Sequence, residues 1–130
     1  MKINTQSGNL SPPPITGAAR FNPALLNLLY HMGGDALAAN VLELFRRNAA
    51  QQIDKLQEGL LEQNSDTVSQ AAHSLKSAAA NIGGLYLAEL ARDIEQAARD
   101  GSLAFDEQVV DSLKTEYQQL LHLVSKQELS

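Results

Sequence analysis

From about position 24 to the C-terminus, apolar residues recur at intervals of three and four, the spacing of one face of an α-helix and not the alternation of a strand. Asn22-Pro23 joins a capping side chain to a proline at the first helical position, and Leu25, Leu26, Leu28 and Leu29 follow as a short apolar run. Gly33-Gly34 stops that run, and Asp35 is placed to cap what comes next. A second helix is expected over about 36–63, with apolar positions Leu37, Val41, Leu44, Phe45, Ile53, Leu56 and Leu60. Asn64-Ser65-Asp66 is a turn that supplies the cap of a third helix, about 66–82, which stops at Gly83-Gly84. A fourth covers about 85–100 and stops at Gly101. A fifth starts near Asp106 and runs to about 126, lining up Val109, Val110, Leu113, Tyr117, Leu120, Leu121 and Val124 on one face.

Connections this short make consecutive helices antiparallel neighbours. The expected fold is therefore all-α: an antiparallel four-helix bundle with a short additional N-terminal helix, in one domain over 22–127. Residues 1–21 stand apart. Gly8, Ser11, Pro12, Pro13, Pro14 and Gly17 break any helix, and the triple proline favours extended backbone, so a flexible N-terminal tail is expected there.

Composition narrows the partners. The chain has 130 residues, of which 44% are hydrophobic, enough for the core of one domain. Its formal net charge of −5 argues against nucleic acid and against an anionic membrane surface. With no cysteine, disulfides, thiol chemistry and Cys-based zinc sites are excluded together. No run approaches the roughly 20 apolar residues that span a bilayer, and Met1-Lys2-Ile3-Asn4-Thr5-Gln6 lacks the apolar centre of a secretory signal. A cytoplasmic protein is expected.

Candidate chemistry lies on the third helix. At about 100° per residue, Val68, Ala71, Ala72, Leu75, Ala78, Ala79 and Ile82 form one core stripe centred on Leu75. His73 lies about 160° from that centre and points outward. Its neighbours three and four residues away are Ser69, Gln70, Lys76 and Ser77, and Ala80 continues the face. Imidazole titrates near neutrality, so at pH 7 it is available as a nucleophile. Small neighbours leave room for another domain to press its own site against the ring, and Lys76 is placed to offset an added phosphate charge. Phosphoryl transfer asks mainly for positioning and charge neutralisation. A flat helical face with one nucleophile thus suffices for half of such a reaction.

The run His73-Ser74-Leu75-Lys76-Ser77-Ala78-Ala79-Ala80-Asn81-Ile82-Gly83, preceded by Ala71-Ala72, resembles the signature of the histidine phosphotransfer (HPt) family. Gly33-Gly34-Asp35 is similar to that family's turn before its long helix, and Leu90, Ile94-Glu95 and Ala98-Arg99-Asp100-Gly101 to its following helix. The resemblance spans roughly residues 21–125 and departs at Ser77, where the family usually has glycine. It implies that His73 is the phosphoacceptor and Lys76 the phosphate-stabilising cation. It also implies a docking footprint of Ser69, Gln70, Ser77, Ala80, Glu95 and Arg99, with Glu95 at a position where family members often carry Gln or Glu near the histidine. On the fourth helix, Leu87, Leu90, Ala91, Ile94, Ala97 and Ala98 read as the core stripe, which leaves Glu95 and Arg99 on the outer side.

The implied function is a phosphorelay carrier that accepts a phosphoryl group on His73 from a receiver-domain aspartate and passes it to another receiver. The implied partners are receiver domains of a hybrid sensor kinase or response regulator. There is no Walker-type loop and no acidic cluster of a receiver, so autonomous kinase activity is not expected. No cofactor is expected either, and the Mg²⁺ of aspartyl transfer belongs to the partner receiver. His31 and His122 lack metal-ligand spacing, so no metal site is expected. The outward face of the His73 helix has no apolar dimer stripe, which points to a monomer. On the residues alone a second role stays open, a non-catalytic adaptor that sequesters a receiver or kinase with His73 dispensable.

Overall fold

Four helices make up the described chain: α1 (Ala24–Leu61), α2 (Ser65–Asn81), α3 (Leu85–Asp100) and α4 (Glu107–Leu129). The structure is a computed structural model that describes residues 21–103 and 107–129, with side chains of α4 described as far as Val124. At the start of α1 the Asn22 side-chain oxygen accepts the Ala24 N–H at 3.0 Å, and the Pro23 carbonyl accepts the Asn27 N–H at 2.8 Å. Proline thus sits one position before the first helical residue, where its missing N–H costs nothing.

The short additional N-terminal helix is not a separate element. Its residues are the first turns of α1, up to a kink at Gly34, where φ is 67° and ψ is −160°. That backbone lies in the region glycine tolerates and other residues avoid. One non-helical residue redirects the helix without an intervening loop, so the break expected at Gly33-Gly34 is a kink inside one long element. Of the expected tail, only Phe21 lies within the described residues. It is 5% exposed and forms an isolated antiparallel bridge with Gly84.

That bridge ties the chain before α1 to the turn between α2 and α3. The Asn22 N–H donates to the Gly83 carbonyl at 2.7 Å. Gly83 has φ of 83°, and a Cβ there would collide with the Asn22 carbonyl oxygen. Only glycine satisfies both the backbone and the approach.

The helices close a ring: α1 packs on α2, α2 on α3, α3 on α4, and α4 back on α1. The turns at 62–64 and 82–84 are too short to do anything but reverse the chain between packed neighbours. Leu56, Leu75, Leu87, Leu113, Leu120 and Val68 are the largest fully buried side chains, and every helix contributes at least one of them. Alanines at 71, 72, 79, 91 and 98 are buried where α2 and α3 meet the rest, so these helices approach closely. On the opposite flank the Tyr117 hydroxyl donates to the Arg46 carbonyl at 2.9 Å, and its ring tilts against Phe45 with centroids 6.2 Å apart. Leu44, read as inward from its spacing, is instead 59% exposed. Among the described residues no helix is long and apolar enough to cross a membrane.

Leu75 is completely buried at the centre of the α2 stripe. Leu75→Ala is expected to lower the unfolding free energy by about 2–5 kcal/mol. Urea unfolding followed by circular dichroism measures this, and a loss below about 1 kcal/mol would contradict the packing described.

Candidate functional site

The rotation of α2 about its axis decides what His73 faces. Asn64 caps the helix by accepting the Thr67 N–H at 3.2 Å, and Asp66 in the first turn suits the positive end of the helix dipole. Val68, Ala71, Ala72, Leu75 and Ala79 are buried. With that stripe inward, His73 is carried to the opposite side, and 55% of its side chain is exposed. Lys76, three residues on, is half-buried, while Gln70, Ser77 and Ala80 are exposed and Ser69 is partly covered.

Helix α3 differs from its sequence reading in one respect that shapes the site. Glu95, expected on the outer side, is 4% exposed. The buried stripe of α3 is Leu87, Ala91, Ile94 and Ala98, while Leu90 and Ala97 are only partly buried. Dropping those two rotates the stripe's centre to within about 70° of Glu95, which places this residue at the seam with α2. Glu95 therefore offers a docking protein almost no surface. It lies beneath the exposed face, not on it.

Glu95 gathers the polar side chains of the site. Its Oε2 accepts from His73 Nδ1 at 3.0 Å and from the Arg99 guanidinium at 2.7 Å, and its Oε1 accepts from Lys76 Nζ at 3.0 Å. Arg99 also donates through Nε to Ser69 Oγ at 3.3 Å, which bridges α3 to α2. Burial alone would push the Glu95 carboxyl up. The hydrogen bonds from Lys76 and His73, joined by the charges of Lys76 and Arg99, outweigh that and hold it below the ordinary carboxylate range. The carboxylate is thus ionised at neutral pH, and an ionised carboxylate only accepts hydrogen bonds. The proton of the His73–Glu95 bond must then sit on Nδ1, which leaves the lone pair of the neutral ring on Nε2.

The structure therefore brings His73, Lys76, Glu95 and Arg99 into one cluster, with Ser69 at its edge. Gln70, Ser77 and Ala80 remain on the same helix face, outside the cluster's hydrogen bonds. Sequence reasoning missed the bond between Ser69 and Arg99. The spacing of four between Glu95 and Arg99 signals their ion pair on one helical face, whereas a contact thirty residues away leaves no such pattern. The other two histidines are elsewhere employed or exposed: the His31 ring is within 2.8 Å of the Asn27 carbonyl one turn back, and His122 is exposed. Among the described residues no group of three or more acidic or histidine side chains is arranged to hold a metal ion.

The Hpt domain family model matches residues 40–123, a stretch that contains the whole cluster. The structure is similar to the crystal structure of histidine-containing phosphotransfer protein B from Pseudomonas aeruginosa, with a TM-score of 0.76 at 20% identity, over 86% of this chain and 96% of that one. At that identity the likeness speaks for the fold. No curated protein sequence matches significantly.

Because the Glu95 carboxyl titrates lower when folded than when unfolded, its ionic contacts stabilise the protein above the unfolded value and lose that effect as pH falls through the folded one. Glu95→Gln removes this linkage. The stability difference between wild type and Glu95→Gln is expected to shrink steadily as pH falls through and below the ordinary carboxylate range. Urea unfolding of both proteins at stepped pH checks this. A difference that grows as pH falls through that range would show that the sign is wrong.

Proposed function

The chain belongs to the Hpt domain family, and from that premise we propose that His73 accepts a phosphoryl group from a receiver-domain aspartate and passes it to the aspartate of a second receiver. Proteins of this family are phosphoryl carriers without autonomous kinase activity, and receiver domains are their partners. One observation carries the assignment to His73: its ring is half exposed on a helical face while Nδ1 is hydrogen-bonded to a buried, ionised carboxylate.

That bond does two things for the reaction. It fixes the ring plane, so Nε2 is presented in one orientation with little rotational freedom to lose. It also keeps the proton on Nδ1, away from the attacking atom. In the transfer step the Nε2 lone pair forms the N–P bond as the P–O bond to the donor aspartate breaks. The aspartate leaves as a carboxylate with the bonding electrons. The Nδ1 proton stays on the ring, and Glu95 offsets the positive charge that the ring acquires. Reversal of the same step onto another receiver's aspartate returns the ring to its starting state.

Lys76 is held 3.0 Å from Glu95 Oε1, so its ammonium waits beside the ring. Its side chain is one-third exposed and flexible enough to swing to the phosphate that forms on Nε2. Gln70, Ser77 and Ala80, with Ser69 and Arg99 at the edge, form a low surface around the histidine on which a receiver docks. The Mg²⁺ of the aspartyl site belongs to that receiver. The module acts through this face as a monomer, since the exposed side of α2 carries small and polar side chains and no apolar stripe.

Incubation with a phosphorylated receiver is expected to label this chain with an acid-labile, alkali-stable phosphate, and His73→Gln is expected to abolish the label. Lys76→Gln should retain labelling but slow it by roughly tenfold or more. Undiminished labelling of His73→Gln would overturn the assignment.

A further inference from the structure

Glu95 Oε2 has two donors, and one of them is not needed to orient the histidine. His73 Nδ1 reaches this oxygen at 3.0 Å and the Arg99 guanidinium reaches it at 2.7 Å. The Arg99 side chain is 59% exposed, yet one edge of its planar head binds within the cluster, Nη2 to Oε2 and Nε to Ser69 Oγ at 3.3 Å. We infer that Arg99 is a positioning residue that acts on His73 through Glu95: by sharing Oε2 with the imidazole it limits how much of that oxygen's charge bears on Nδ1.

The physical basis is sharing of one acceptor. A carboxylate oxygen already bonded at short range to a guanidinium has less charge to offer a second donor. The pull of Glu95 on the Nδ1 proton must be strong enough to orient the ring. Lys76 occupies the other oxygen, Oε1, so it does not compete directly with His73. The charged groups that face the ring are thus Lys76 on its own helix and Glu95 and Arg99 from α3, and of these only Arg99 shares an oxygen with the imidazole.

A second consequence concerns the phosphorylated state and rests on the reading of His73 as phosphoacceptor. If Lys76 turns from Oε1 to the phosphate, the buried carboxylate loses one counter-charge. Arg99 remains on Oε2 and, with Ser69, keeps the carboxylate compensated and in place. A buried acid stripped of its partners is strongly destabilising, so this second cation is what leaves Lys76 free to move.

The test is the titration of the His73 ring, followed by NMR in the unphosphorylated full chain, for wild type, Arg99→Gln and Arg99→Lys. Arg99→Gln is expected to raise the proton affinity of the ring by about threefold or more, with Arg99→Lys close to wild type. The same pair is then compared in a Glu95→Gln background, where the effect of Arg99→Gln should largely vanish. No change in proton affinity on Arg99→Gln, or a fall, overturns the inference. So does an equal rise in both backgrounds, because that would be direct repulsion between Arg99 and His73. The titration requires no phosphate and no partner, so its outcome is independent of whether His73 takes a label from a receiver.

Discussion

A single buried carboxylate organises the polar face of this protein. Glu95 is sunk into the seam between α2 and α3, where an unpaired charge would be costly, and three cationic or potentially cationic side chains from both helices offset that cost. The arrangement is directional. One oxygen faces Lys76, the other is divided between His73 and Arg99. The side chains that could carry or stabilise a phosphoryl group are thereby held in defined positions before any partner arrives. Preorganisation of this kind gives an open helical face its chemical advantage.

The rest of the fold serves to hold that seam. Buried alanines along α2 and α3 let the two helices approach closely enough for a glutamate on one to reach a histidine and a lysine on the other. Leu75 and Leu87 anchor the two helices in the core, and α1 and α4 complete the ring behind them. The turn between α2 and α3 is pinned from outside by the Phe21–Gly84 bridge and the Asn22–Gly83 hydrogen bond. A rigid turn fixes the axial register of the two helices, and register decides whether residue 95 lies level with residue 73. The exposed face itself carries small and polar side chains, which suits an Hpt domain, a family whose partners are receiver domains.

Much of this was legible in the order of residues. Helical spacing, the Asn64 cap and the stops at Gly83-Gly84 and Gly101 are local signals, governed by backbone preferences within a turn or two, and the helices begin and end close to them. The outward direction of His73 follows from where the alanines and Leu75 lie on the same helix, so it too was settled by local pattern. At Gly33-Gly34 the glycines marked a real break in direction. Pattern alone could not distinguish a kink within α1 from two helices, because that depends on how the segments before and after Gly34 dock on the bundle.

What the sequence determined by itself, then, was the extent of α2, α3 and α4, the inward face of α2, and an exposed imidazole with an ammonium nearby. Tertiary structure alone decided that Glu95 is buried, that its two oxygens are divided among three donors, and that Arg99 reaches across to Ser69. The physical reason is the difference between a periodicity and a packing angle. A helical wheel states which side of α3 is apolar to within several tens of degrees, whereas the fate of a residue at the edge of the stripe turns on the last few of them. Glu95 stands at that edge. Only the close approach of two alanine-lined helices moves it from the solvent side to the inside, where a carboxylate must find partners.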